Sequence, residues 1–208
     1  MRSAGLAGSL AAIVALAGCA VGPAGGQEPE TGAKRPQEPG RPAADEAAGR
    51  DDGRSVESLV AALYDVLSGP KGRARDWDRF KALFCDGAVL ATVQRDREGK
   101  LRRVRLTPAG YVERSGAFVE REGMFEREVA HRRLEYGAVA VAWSTYELRL
   151  GSPDGPPKVR GINAIQCFRE ADGWRVQAVV WDAEPTAGPI PDRFLLREAA
   201  PPVRGGGR

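Results

Sequence analysis

Tyr146, Asn163 and Asp182 have the types and spacing for acid–base chemistry or polar recognition in a pocket. A carboxylate in apolar surroundings titrates higher than in water and can act as a general base near neutrality. A phenol can donate its O–H to a developing oxyanion. A carboxamide donates and accepts at once and so orients a ligand. Each also has a structural use. An Asp near a strand end accepts a neighbouring backbone N–H, a sheet Tyr packs and bonds a rim group, and an Asn within a sheet caps a loop carbonyl. His131, the single histidine, alternates in phase with Arg127, Val129, Arg133 and Glu135 and out of phase with Ala130, Leu134 and Tyr136. That pattern puts it on a charged surface or interface side. With one His and three Cys in 208 residues, neither a His-rich metal site nor a disulfide scaffold is expected. Nothing suggests a metal, a nucleotide loop, or a Ser or Cys nucleophile with a partner His, so no cofactor is expected.

Elements to position these residues are legible. Ser55 is a helix N-cap, and Val56, Leu59, Val60, Leu63 and Leu67 follow as one helical stripe that Gly69-Pro70 stops. Asp76 caps a shorter helix carrying Trp77, Phe80, Leu83 and Phe84, ended by Asp86-Gly87. Residues 88–94 and 101–106 read as a β-hairpin. Thr107-Pro108 starts a third helix, with Tyr111, Ser115 and Phe118 on its buried side and Gly123 at its end. Four long strands follow, at 125–135, 138–150, 158–170 and 174–184, joined by short turns. The predicted class is α+β: a curved antiparallel sheet of four long strands plus a short hairpin, wrapped around three N-terminal helices as a cone-shaped barrel.

Turn positions give a register. A symmetric 151–157 turn pairs Tyr146 with Asn163 and Ser144 with Ile165. Centring the next turn on Ala171-Asp172 pairs Asn163 with Val180 and Gly161 with Asp182. Side chains alternate, so one face collects Tyr146, Asn163 and Asp182 with Ala142, Ser144, Ile165 and Val180. This is read as the concave face. Ala140, Ala142 and Ala178 leave room, Ile165, Val176 and Val180 make it apolar, and the polar groups gather toward one end. Asp182 and Tyr146 are the candidate catalytic pair, and Asn163, Ala142, Ser144, Ile165 and Val180 are the candidate ligand contacts. The opposite face, with Val141, Trp143, Phe168, Val179 and Trp181, is too apolar to stand bare in water, and a homodimer through it is expected.

The flanks carry an address. Met1-Arg2 precedes an apolar run from Ala4 to Ala17, too short at 1.5 Å per residue to cross ~30 Å of hydrocarbon. Leu16-Ala17-Gly18-Cys19 closes it and resembles a bacterial lipoprotein signal: residues 1–18 removed, Cys19 lipidated, the chain exported and held on a membrane. Ala20 after the Cys fits the outer membrane where the organism has one. Residues 20–54 hold 7 Gly and 5 Pro and lack Leu, Ile, Met and every aromatic, so 19–54 is expected to be a disordered tether and 197–208 a disordered tail. The domain should span 55–196. Export permits a Cys85–Cys167 disulfide, and small buried thiols are the alternative. Lys plus Arg is 31 against 28 acidic residues, so composition gives no argument for a nucleic-acid partner. The expected partners are the membrane, a second copy of the chain and a small apolar ligand.

The element order, with Asp76-Trp77-Asp78-Arg79-Phe80, Leu83-Phe84, Ser144-Thr145-Tyr146-Glu147, Arg160-Gly161-Ile162-Asn163-Ala164-Ile165-Gln166, Trp181-Asp182-Ala183-Glu184 and Pro189-Ile190-Pro191, resembles the SnoaL-like, nuclear transport factor 2-like superfamily. The resemblance covers about residues 55–196 and implies the cone fold. The superfamily holds isomerases, dehydratases, cyclases, transport adaptors and plain binding or dimerising domains, so it fixes no chemistry. It implies two readings. One is a lipid-anchored cup for a small apolar or amphipathic ligand, or a dimeric assembly module. The other is an acid–base enzyme in which Asp182 and Tyr146 resemble, in residue types only, the pair used by a ketosteroid isomerase.

Overall fold

A computed structural model describes residues 51–196; Cys19, the signal segment, most of the expected tether and the tail lie outside them. The chain runs α1 (Val56–Leu67), α2 (Trp77–Ala82), β1 (Phe84–Arg95), β2 (Leu101–Leu106), α3 (Pro108–Glu122), β3 (Met124–Tyr136), β4 (Val139–Leu150), β5 (Val159–Glu170), β6 (Gly173–Ala183), α4 (Glu184–Ala187) and a 3₁₀ turn, Asp192–Phe194. The class is α+β. The six strands form one curved sheet in the order β2-β1-β6-β5-β4-β3. Two expectations are corrected here. The sheet is mixed, because β1 lies parallel to β6, and it is open, with β2 and β3 as its edges.

Local chemistry sets the helices. Ser55 and Ser58 close a capping box at the start of α1, and Asp76 and Thr107 accept from Arg79 N–H and Gly110 N–H at the starts of α2 and α3. The stripe Val56, Leu59, Val60, Leu63 and Leu67 is buried against the sheet, and Tyr64 is buried with it. The second helix is shorter than expected. It ends at Ala82, and Phe84 and Cys85 already belong to β1, whose pairing with β6 shifts between Phe84 and Val89 around the left-handed Gly87 (φ 71°). Residues 51–54 pack on the domain: Asp52 pairs with Arg79, and Gly53 C=O accepts from Trp174 N–H.

The register between β4 and β5 is displaced by two from the expected one: Tyr146 faces Gly161, Ser144 faces Asn163 and Ala142 faces Ile165. A shift of two keeps every side chain on its face. Between β5 and β6 the expected register holds beside the turn, where Cys167 faces Val176. Beyond Gln166, which faces Ala178, it fails by one, because Gln177 is an extra residue. That bulge turns Val179, Trp181 and Ala183 inward and Val180 and Asp182 outward. A second bulge at Val129 sets Glu128 opposite Tyr146 and His131 opposite Ser144. His131, Arg133 and Glu135 therefore share the concave side, while Leu134 and Tyr136 stand on the convex face, opposite to the expected arrangement. Cys85 and Cys167 are free thiols.

The Tyr146 ring lies across Gly161. A Cβ at residue 161 would stand 2.6 Å from Tyr146 Oη and 2.6 Å from Asp182 C=O. Gly161→Ala should therefore cost ~1–3 kcal/mol of stability by overpacking, read as a lower denaturation midpoint at unchanged m-value; an unchanged midpoint would contradict this packing.

Candidate functional site

A cavity of about 90 Å³ lies between the helices and the concave face. From the helices come Leu63, Tyr64 and Leu67 of α1, Phe80 of α2, and Tyr111, Phe118 and Val119 of α3. From the sheet come Leu90, Met124, Glu126, Tyr146, Leu148, Asn163, Val179 and Trp181. Tyr146 and Asn163, expected in the site, line it together. Asp182 does not: it lies on the convex face of β6, where its Oδ1 accepts the Ala183 N–H at 2.7 Å. Val180 shares that face and is 51% exposed. Ala142, Ser144 and Ile165 are on the concave face but fully buried in the core rather than on the cavity wall. The room expected over the alanines lies instead at the opposite end, beside Tyr146, Leu148 and Trp181.

Glu126, not singled out by sequence, is the ionisable group of the cavity. It sits in β3 facing Leu148, its backbone held by Ser68, whose hydroxyl accepts the Glu126 N–H (2.9 Å) and shares its proton between the C=O groups of Tyr64 (2.8 Å) and Glu126 (3.1 Å). No hydrogen bond or ion pair reaches its carboxylate among the described residues. Burial in this apolar setting pushes its pKa from 4.5 to about 7. Three phenols feel it. Tyr64, Tyr111 and Tyr146 are all raised above the usual tyrosine value, first by burial and next by the Glu126 charge. All three stay protonated and can only donate or accept as O–H groups. Tyr111 and Tyr146 hydroxyls have no protein partner among the described residues.

Tyr64 is committed elsewhere. Its Oη accepts from Asn163 Nδ2 (3.0 Å) and pairs with Ser144 Oγ (2.7 Å), which donates to Glu128. His131 Nδ1 (3.0 Å) and Arg133 (2.7 Å) close on the other Glu128 oxygen, Oε2. With Asn163 donating to Tyr64 and Ser144 donating to Glu128, the Tyr64 proton must point at Ser144. The chain of bonds locks α1 to β3, β4 and β5. His131, expected on a charged surface side, is a half-buried member of it.

Burial raises the Cys85 thiol to about 11 and the Cys167 thiol to about 12, so neither is a ready nucleophile. A second hollow, of about 220 Å³, lies beside α1 and the 73–76 segment. Two of its cations are engaged in structure: Arg75 donates to the C=O groups of Leu67 and Gly69, capping the end of α1, and Arg79 pairs with Asp52 and Asp65. The smaller cavity is the candidate site because it alone of the two holds a carboxylate without a partner. Among the described residues no group of three or more His, Cys, Asp or Glu could hold a metal ion.

No family model matches the chain, and no curated protein matches it. Solved structures do. A nuclear transport factor 2-like family member from Streptomyces avermitilis aligns at TM-score 0.46 and 13% identity, over 64% of this chain and 95% of its own. A nuclear transport factor 2-like protein of unknown function from Pseudomonas putida aligns at 0.47 and 13%, over 65% and 87%. A protein of unknown function with a cystatin-like fold from Nostoc punctiforme aligns at 0.48 and 12%, over 63% and 90%. These are likenesses of fold and assign no activity.

The raised pKa of Glu126 has a thermodynamic sign. The folded state binds this proton more tightly than the unfolded chain, so its stabilisation is complete below about pH 4.5 and is lost as pH rises through about 7. The span corresponds to on the order of 3 kcal/mol. Glu126→Gln, neutral at every pH, should match the parent near pH 4.5 and melt higher than it at pH 8; parallel melting curves across that range would contradict the assignment.

Proposed function

We propose that the chain is a SnoaL-like, nuclear transport factor 2-like cup, carried on a bacterial membrane by a lipidated Cys19, whose cavity binds a small amphipathic molecule. The observation that carries this is the Glu126 carboxyl, set without a partner in a wall of apolar and aromatic side chains. A mostly apolar cavity with a few convergent polar groups is the usual form of a ligand site. A carboxylate placed there at a cost to stability needs a use. The volume limits the guest. A cavity of about 150 Å³ holds benzene, so about 90 Å³ admits a smaller body, the rest of a longer ligand standing in the open mouth.

The same carboxyl favours a second reading, an acid–base enzyme of isomerase, dehydratase or cyclase type. A pKa of about 7 suits proton transfer near neutrality, and Glu126 then takes the role first given to Asp182, with Tyr146 or Tyr111 as the O–H donor. Small amphiphiles should raise the melting temperature and change Trp181 emission, since a ligand specific to the native state stabilises it. For a binder, Tyr146→Phe and Glu126→Gln each weaken affinity, by ~1 kcal/mol for a lost hydrogen bond and more for a lost charge. For an enzyme, Glu126→Gln leaves binding nearly unchanged and cuts turnover ~10²-fold or more. A panel that moves neither signal would contradict both readings.

The convex face supports the dimer. Leu134 and Tyr136 on β3, Val139, Val141 and Trp143 on β4, Phe168 on β5 and Val180 on β6 are exposed side by side through the register pairs Leu134–Val141, Val139–Phe168 and Ala164–Val180. The 3₁₀ turn covers only part of it: Phe194 packs on Trp143 and its C=O accepts from Thr145. Val141→Asp and Val180→Asp should each convert a sedimenting dimer to monomer, because an unpaired buried charge costs several kcal/mol; a parent protein that sediments as a monomer at micromolar concentration would contradict this arrangement.

A further inference from the structure

We infer that the cavity takes a small organic cation, an alkylammonium ion held against aromatic faces with its charge on the Glu126 carboxylate. The inference rests on the cavity being a ligand site and specifies the ligand's charge. Six rings border the space, those of Tyr64, Phe80, Tyr111, Phe118, Tyr146 and Trp181. Ring faces carry a negative quadrupole and attract ammonium groups, Trp most strongly. No Lys, Arg or His lines the cavity, so nothing of the protein's own neutralises Glu126 there.

Charge decides among the ligand classes. An anion would meet a like charge in a low-dielectric wall and is excluded. A neutral apolar guest would leave the carboxyl without a counter-charge. Only a cation supplies the missing counter-charge and favours the ionised form of Glu126. The neighbouring cluster makes the contrast. Glu128, two residues along the same strand, already has Ser144, His131 and Arg133 around it and needs no ligand. Glu126 has a cavity where those groups would be. The volume of about 90 Å³ excludes a polycyclic body and takes part of an alkylammonium head, the rest standing in the open mouth.

The test uses choline and its uncharged carbon isostere, 3,3-dimethylbutan-1-ol, titrated calorimetrically into the full-length protein in detergent. Choline should bind at least tenfold more tightly than the alcohol at pH 8. Its affinity should fall as pH drops through 7 to 6, as the carboxylate is protonated. Glu126→Gln should erase the preference for choline while leaving the weak binding of the alcohol intact, which also shows that the variant is folded. Equal or tighter binding of the alcohol would overturn the cation and leave the ligand site standing. Binding of neither probe, with no change in Trp181 emission, would overturn both. A choline affinity that does not change between pH 6 and 8 would also overturn the inference, since it would mean that Glu126 is not the counter-charge.

Discussion

Gln177 has no partner on β5, and half of the concave face depends on that. β6 is a central strand, bonded to β5 on one side and β1 on the other, so its phase decides which of its side chains meet the helices. The extra residue reverses that phase between Val176 and Val179. Trp181 then enters the cavity wall, with its C=O accepting from the Thr92 hydroxyl at 3.0 Å, and Asp182 swings to the convex face to bond its own neighbour's N–H. A bulge shortens the pairing on one strand and strengthens local twist. Together with the bulge at Val129 it bends an open sheet enough for three helices to cover its inner side.

Much of this architecture is legible in the sequence because it rests on local chemistry. Ser55, Asp76 and Thr107 have cap side chains where a helix must begin, and Gly123 takes a positive φ (72°) where α3 must end. The long strands follow from apolar runs broken by short turns, and a two-residue error at the 151–157 turn is harmless because strand faces repeat every two. The bulge in β6 is not legible for a plain reason. Val176, Ala178 and Val180 make one apolar phase, Val179 and Trp181 the other, and the polar residues do not choose between them: Arg175 and Gln177 fall in the second phase and Asp182 in the first. Strand alternation alone therefore assigns Asp182 and Val180 to the site they face away from. Tyr146 and Asn163, on strands without that ambiguity, were placed on the cavity side.

Glu126 and Tyr64 escape sequence reading for another reason. Tyr64 stands within the apolar stripe of α1 and reads as one more core residue. Glu126 stands in a strand rich in charges, where alternation alone does not tell a solvated carboxylate from a desolvated one. The difference lies in what packs opposite: Leu148 across the sheet and α1 and α3 above. Two carboxylates on one strand face thus acquire opposite characters, Glu128 anchored by a hydroxyl, an imidazole and a guanidinium, and Glu126 by none of them.

The chemistry of the cavity depends on the ionisation of that second carboxyl. Titrating the Glu126 side-chain ¹³C resonance in the protein without added ligand measures it directly, with Glu126→Gln providing the assignment. A midpoint near 7 is the predicted result, and addition of choline should move it downward as the ammonium stabilises the charged form. A midpoint close to the ordinary glutamate value of 4.5 would mean that water or an unseen cation already satisfies the carboxylate, and the cavity would lose the group that gives it a chemistry.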